Sequence, residues 1–347
     1  MNISADSSRL SRLLLTGAAI VLVIAGLRAA SDLLNALFMA ALIAILCVPV
    51  QNRLRKRGWS QGASVGLVAG LIILIGVLLG LFVVVSTNQV IRKLPEYQAQ
   101  LHRLETTTWT ELDKLGLSEE VRNGLESFNI QSLFPFVSSV LRGTFDSVGN
   151  VLLVFLMLFY MLVDAPNIPG RLRAVLPPDS RWLAKADLFL DSVQRYMLLR
   201  TVFGVVIAAI QTVAMLLMGV DFAVAWGVLA VITNYIPNVG FVLGLIPPVA
   251  VTLLEKGPVM AIVLIVVYSV INNVIENFVA PRFMGEELGI STLFIFLSLI
   301  FWTWVLGAAG ALLAVPLTLA VKILLLDGDE NARAALALIS DGGGETR

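Results

Sequence analysis

The sequence predicts an all-α polytopic membrane protein, and three observations carry that prediction. Hydrophobic residues make up 58% of the 347 and charged residues only 14%, with a mean hydropathy of +0.90, which is far from the balance of a soluble domain. The charges that remain fall between long apolar runs, about eight in all. Two runs in the C-terminal half are also too long for one crossing. The charge-free stretch from Phe222 to Leu254 would measure roughly 50 Å as one helix, against a hydrocarbon core of about 30 Å. A net charge of zero argues against nucleic acid as a partner. Cys47 is the only cysteine and His102 the only histidine. An intrachain disulfide framework and Cys/His zinc sites are thereby excluded, and no metal or cofactor is expected.

Taken in order, Arg9 and Arg12 precede the apolar run Leu13 to Leu27, and a second run, Leu33 to Val50, begins just after Arg28 and Asp32. That layout favours a retained helical hairpin over a cleaved leader. Arg53, Arg55, Lys56 and Arg57 then crowd a loop with no acid, so this loop and the N-terminus are read as cytoplasmic. The third span lies within Gly62 to Val85 and completes an N-terminal block, residues 1–90. Residues 91–146 turn polar, with Ile91, Leu94, Leu101 and Leu104 at helical spacing and Ser118 as an N-cap before Glu119 and Glu120. They read as an extramembrane helical segment, with His102 a solvated histidine. A fourth span, 147–163, returns the chain to the cytoplasm.

Residues 164–200 carry a basic excess (Arg171, Arg173, Arg181, Lys185, Arg195, Arg200), which fits an inside location. Trp182, Phe189, Val193 and Tyr196 share one helical face there, the pattern of an interfacial amphipathic linker helix. Residues 201–326 form the remaining apolar core, and 327–347 a cytoplasmic tail. Within the core, charge-free runs alternate short, long, short, long: Thr201 to Val220, Phe222 to Leu254, Gly257 to Ile275, and Leu288 to Val321. The second long run echoes the first faintly, Leu312 to Pro316 against Leu243 to Pro247, which suggests an internal repeat. If each long run is a hairpin, the two repeats are inverted; if each is one broken helix, they are parallel. Hairpins are favoured, since inverted units with broken elements recur among transporters.

The first long run is interrupted by Asn234, Tyr235, Ile236, Pro237, Asn238, Val239 and Gly240, then by Gly244, Pro247 and Pro248. Proline removes a backbone donor and glycine permits a turn. Lipid cannot satisfy the freed groups, so such a break belongs inside protein or beside a water-filled cavity. Gly307, Gly310 and Pro316 interrupt the second run. Between the two, Asn272, Asn273, Glu276 and Asn277 fall at i, i+1, i+4 and i+5, which sets Asn272 over Glu276 and Asn273 over Asn277. A carboxylate among carboxamides near the end of an apolar span can hold Na⁺ or exchange a proton; set against that, Glu276 can simply mark the span's end in interfacial water. Asp221 reads as a loop or cap residue.

Asn234 to Val249 (NYIPNVGFVLGLIPPV) resembles the signature of the AI-2E family of autoinducer-2 exporters and PerM-like permeases. Asn273 to Pro281 (NVIENFVAP), Gly307 to Pro316 (GAAGALLAVP) and Phe159 to Asp164 are similar to further segments of that family. The likeness covers nearly the whole chain. It departs where the family commonly has Gly-Gln after the tyrosine of the amphipathic helix, for here Leu199, Arg200 and Thr201 follow Tyr196. The resemblance implies a secondary carrier in a bacterial inner membrane, with both termini cytoplasmic, exporting small polar molecules such as autoinducer-2. Some relatives exchange Na⁺ or Li⁺ for H⁺. It further implies a homo-oligomer, with a pentamer as the candidate state.

The expected function is thus an ion-coupled exporter acting on a small-molecule substrate, with Na⁺ or H⁺ as the coupling ion and the lipid bilayer as its surroundings. Asn234, Pro237, Asn238, Gly240, Gly244 and Pro247 would form one break of the path. Asn273, Glu276, Asn277 and Pro281 would supply the polar end of the following helix, and Gly307, Gly310 and Pro316 the opposing break. A Na⁺(Li⁺)/H⁺ antiporter is the rival, and a non-transporting membrane scaffold the alternative of another class. An intramembrane protease would need a serine with histidine, paired aspartates or HExxH, none of which occurs in the spans, so no enzyme is expected.

Overall fold

The computed structural model describes residues 3–114, 148–237, 239–280 and 290–327. Every element among them is helical. Five helices are long and apolar enough to cross a membrane, or six if one pair bent by 56° counts as a span, and shorter apolar helices accompany them among the described residues. The chain is therefore an all-α multi-pass membrane protein. It divides into two compact units, one built from 1–65, 150–193 and 289–347, the other from 66–149 and 194–288.

In the first unit, α1 (Ile3–Ala29) and α2 (Ser31–Lys56) follow one another directly. Ala36, Ala40 and Ala44 recur every fourth residue of α2 and are buried, the small-residue stripe that lets helices approach closely in lipid. α4 (Val148–Asp164) bends sharply into the short α5 (Ile168–Val175). Gln51 is fully buried and donates from Nε2 to the Leu162 carbonyl at 3.0 Å, while Gln61 reaches the Val163 carbonyl at 3.0 Å. These two amides satisfy carbonyls of the last turn of α4, which have no helical donor of their own. The second long run forms α10 (Thr292–Leu306) and α11 (Ala308–Ala320), and α11 continues into a π-helical stretch, Val321–Leu326. The two helices pack along their length around the single turn residue Gly307, whose φ of 69° and ψ of −150° suit only glycine. Trp302 Nε1 donates to Thr318 Oγ1 at 3.1 Å across the pair, and Asn35 Nδ2 caps the Leu306 carbonyl at 3.0 Å.

The second unit contains most of α3 (Gln61–Lys114) and α6 (Arg181–Leu217), then α7 (Ala223–Thr233), α8 (Gly240–Lys256) and α9 (Pro258–Val274), which runs on as a π-helical stretch, Ile275–Val279. Two of the expected boundaries fall inside continuous helices. α3 is unbroken for 54 residues, so the step from membrane run to polar segment near residue 91 involves no turn. α6 is unbroken for 37 residues, so the amphipathic linker and the span that follows it are one rod of about 55 Å. The second short helix expected after Ser118 lies outside the described residues.

The first long run folds back on itself. α7 and α8 pack antiparallel, and the run returns to where it started: the Asp221 N–H donates to Glu255 Oε2 at 3.4 Å. Asp221 sits in the turn before α7, ion-paired with Lys93 of α3, and Trp226 Nε1 donates to its carbonyl at 2.9 Å. Beneath this end lies an apolar core of Met215, Val220, Ala223, Trp226, Val251, Leu254, Leu264 and Tyr268, drawn from all four helices α6 to α9. The other end of the hairpin, at 234–239, is where the polar residues gather.

Candidate functional site at the tip of the first hairpin

The break between α7 and α8 follows from its sequence. Pro237 has no N–H to give the Thr233 carbonyl, which instead accepts from the Ile236 N–H at 2.9 Å. Gly240 starts α8 with its Cα so close to that same carbonyl that any Cβ would overlap it. Further along, Pro248 occupies the position whose N–H would bond the Gly244 carbonyl. The Tyr268 hydroxyl of α9 donates to it instead, at 3.4 Å. Two carbonyls freed by proline are thus satisfied, one within the turn and one from α9, as a break at membrane depth requires.

Two residues of the tip face α6. Asn234, 7% exposed, donates from Nδ2 to the Gly204 carbonyl at 3.4 Å. Tyr235 shares a 2.7 Å hydrogen bond with Thr201. One helical position before Thr201, Arg200 turns toward α9: its Nη1 donates to Glu276 Oε1 at 2.8 Å, with the two side chains 19% and 35% exposed. Asn272, one turn back on α9, donates from Nδ2 to Glu276 Oε2 at 3.3 Å. Tyr196 lies buried one turn before Arg200 on the same face of α6.

Two buried atoms of this cluster, Arg200 Nε and Asn272 Oδ1, make no hydrogen bond of their own, while the Tyr196 side chain interacts with the Arg200 guanidinium alongside Glu276. Buried polar atoms are satisfied in the great majority of cases, so an unmatched donor and acceptor here are exceptions that ask for an explanation. Glu276 also stands in the π-helical stretch that ends α9, and π turns within helices concentrate at functional sites. Both Arg200, counted back from the end of α6, and Glu276, counted from the start of α9, lie about 26 Å along their helices from the Asp221–Glu255 end. The cluster therefore sits near the opposite boundary of the hydrocarbon core.

Of the residues singled out in the sequence, Asn234, Pro237, Gly240, Gly244, Pro247 and Glu276 belong to one unit around this tip. Asn273 and Asn277 are exposed on the adjacent helix line, where Asn277 Nδ2 donates to Asn273 Oδ1 at 2.9 Å and Asn273 to the Ser269 carbonyl at 2.9 Å. Asn238 and Pro281 lie outside the described residues. Gly307, Gly310 and Pro316 belong to the other unit, in the α10–α11 hairpin. Arg200, Thr201, Tyr235 and Tyr268 are not among the site residues read from the sequence, where Tyr235 enters only as part of the break and Arg200 and Thr201 where the chain departs from the family's Gly-Gln. The signal for Arg200 was present, for Tyr196, Arg200 and Gly204 stand at i, i+4 and i+8, but its charge was absorbed into the count of basic cytoplasmic residues.

A multi-pass helical protein in which an apolar run folds into a hairpin with a polar tip, beside an ion pair near the membrane boundary, has the build of a transporter. Residues 18–328 match the family described as AI-2E family transporter, and the chain belongs to that family. It is 30% identical to the AI-2 transport protein TqsA of Escherichia coli (strain K12), over 93% of this chain and 93% of that protein. It is 31% identical to the putative transport protein YhhT of the same organism, over 94% and 93%. A putative transport protein of Haemophilus influenzae is 30% identical over 96% and 97%. Membership of a transporter family agrees with the expectation that the chain is not an enzyme.

Proposed function

We propose that this protein is a secondary-active, ion-coupled exporter of a small polar molecule of the autoinducer-2 type, in the inner membrane of a bacterial cell with both termini cytoplasmic. The observation that carries the reading is the convergence of the polar tip, Asn234 and Tyr235, with Arg200, Asn272 and Glu276. Pro237, Gly240, Gly244 and Pro247 shape the break that makes the tip. Asn273 and Asn277, bonded to one another on the exposed line, are left out of the site. An unmatched buried donor beside an unmatched buried acceptor suits a molecule rich in hydroxyl and carbonyl groups, since a hydroxyl can serve both. The name of the TqsA relative supports the same class.

The broader plan in this reading is eight hydrophobic segments, with the two long runs as hairpins and hence an inverted repeat, in a homo-oligomer for which a pentamer is the candidate state. The test of function is counterflow of a labelled furanone in proteoliposomes of the purified full-length chain. Exchange well above protein-free controls is expected, and exchange equal to those controls overturns the reading. A Na⁺(Li⁺)/H⁺ antiporter is the second reading, favoured by the Glu276 carboxylate. It requires that Glu276→Gln abolish Na⁺-dependent proton flux. The Arg200 guanidinium on Glu276 weighs against it, because that charge is already balanced.

A further inference from the structure

Resting on the transport reading, we infer that Arg200 is the group that anchors the substrate, and that Glu276 is a resident occupant which holds Arg200 between substrates. The contacts are unequal in a way that suits this. Glu276 takes one guanidinium nitrogen, at 2.8 Å, and leaves the adjacent Nε buried without a partner. Asn272 orients Glu276 through Nδ2 but leaves its own Oδ1 buried and unmatched. Guanidinium is a planar fork that pairs best with two acceptors at once. An arriving molecule with a carbonyl oxygen beside a hydroxyl can reach both unmatched atoms: its carbonyl accepts from Arg200 Nε, and its hydroxyl donates to Asn272 Oδ1. Arg200 Nε and Asn272 Oδ1 then each gain a partner, in exchange for the contacts that Glu276 gives up.

The surroundings give Glu276 somewhere to go. Its side chain is 35% exposed, against 19% for Arg200, so the carboxylate can move to water while the guanidinium stays. The π-helical stretch Ile275–Val279 carries it, an irregular turn of the kind that concentrates at functional sites. Thr201, bonded to Tyr235 at 2.7 Å, links the Arg200 position on α6 to the hairpin tip. Capture at Arg200 is therefore felt at the break in the membrane run.

The experiment turns on a sign. If Glu276 competes with substrate, Glu276→Gln tightens furanone binding, by about tenfold for one lost charge-assisted hydrogen bond, and lowers KM and kcat together because release slows. If Glu276 itself contacts substrate, binding weakens; weaker or unchanged binding overturns the inference. Arg200→Gln loses binding, and the paired change Arg200→Gln/Glu276→Gln, which strands no charge, loses it equally while remaining folded; binding retained in the paired variant overturns the inference. A second arm needs no substrate: phenylglyoxal labelling of Arg200, read by peptide mass, runs several-fold faster in Glu276→Gln than in wild type. Equal rates overturn the inference. Failure of wild type and Glu276→Gln alike to bind the furanone overturns the substrate class proposed above, and the labelling rates then decide the role of Glu276.

Discussion

The α7–α8 and α10–α11 hairpins come from apolar runs of similar character, yet they turn in different ways. In α10–α11 one residue, Gly307, reverses the chain, Gly310 leaves no room for a Cβ against the Trp302 carbonyl, and the helices seal along their length with Ala311, Leu313, Ala314 and Val315 buried. Its side-chain bonds are Trp302 to Thr318 within the pair and, from outside it, Asn35 Nδ2 of α2 to the Leu306 carbonyl. In α7–α8 the turn takes the whole stretch between Thr233 and Gly240, and its side chains bond outward to α6. A turn closed by one glycine needs little from its neighbours, here one amide on one carbonyl. A longer turn rich in amides and proline leaves backbone and side-chain groups that neighbouring helices must satisfy, so its conformation depends on theirs. The difference suggests a structural hairpin in one unit and a working one in the other.

The hardest way to break that contrast is at Gly240. Gly240→Val drives a side chain into the Thr233 carbonyl and should cost about 3 kcal/mol or more if the tip keeps its geometry. The relief open to a six-residue turn is to move outward. The expected outcome is a protein that still assembles, with transport lost and faster amide hydrogen exchange confined to the tip. Gly310→Val in the tight hairpin has no such relief, and should lower the melting temperature and yield instead. Equal behaviour of the two variants would erase the distinction between the hairpins.

Arg200 offers the next largest effect. Arg200→Gln strands Glu276 with only Asn272 beside it, and the loss should be about 2 kcal/mol, between the values for exposed and fully buried pairs. Adding Glu276→Gln should restore most of that, because two amides at this site need no counter-charge. Thermal unfolding in detergent of the two single variants and the pair gives the cycle, with a coupling above about 1 kcal/mol expected. Independent, additive losses would mean that the pair is incidental to the tip.

How much of this was legible from sequence follows the same line. Fold class was plain, since no soluble chain carries such runs, and the length of the run from Phe222 to Leu254 announced that it must turn. Its direction was not legible, because parity allowed hairpin or broken helix. The Asp221 to Glu255 hydrogen bond, joining the two ends of the run, is what answers it. Glu276 and its amide neighbours were visible as a cluster, but the i, i+4 pairs were not equivalent. Asn272 and Glu276 face Arg200, whereas Asn273 and Asn277 face outward. Which of two adjacent helix lines is buried depends on a partner helix some 76 residues earlier in the chain, and local spacing carries no such information.

Tyr235→Phe removes one side-chain hydrogen bond from the tip, and Trp302→Phe removes one from the tight hairpin together with part of the indole's packing. Tyr235→Phe should cost about 1 kcal/mol, and Trp302→Phe more. Only Tyr235→Phe should raise hydrogen exchange at 234–240 and change transport, because only its partner, Thr201, adjoins the ion pair.

The smallest effect sharpens the site's edge. Asn277 is exposed, and its one side-chain contact, Nδ2 to Asn273 Oδ1, is itself exposed. Such i, i+4 amide contacts on a helix surface are worth a few tenths of a kcal/mol. Asn277→Ala should therefore leave both melting temperature and furanone counterflow within error of wild type, while Asn272→Ala, one turn before Glu276 on the neighbouring line, removes the carboxylate's second donor and lowers counterflow clearly. A large loss in Asn277→Ala would draw the path along the outer line of α9, and would require the α7–α8 tip to act on substrate from a different side than Arg200.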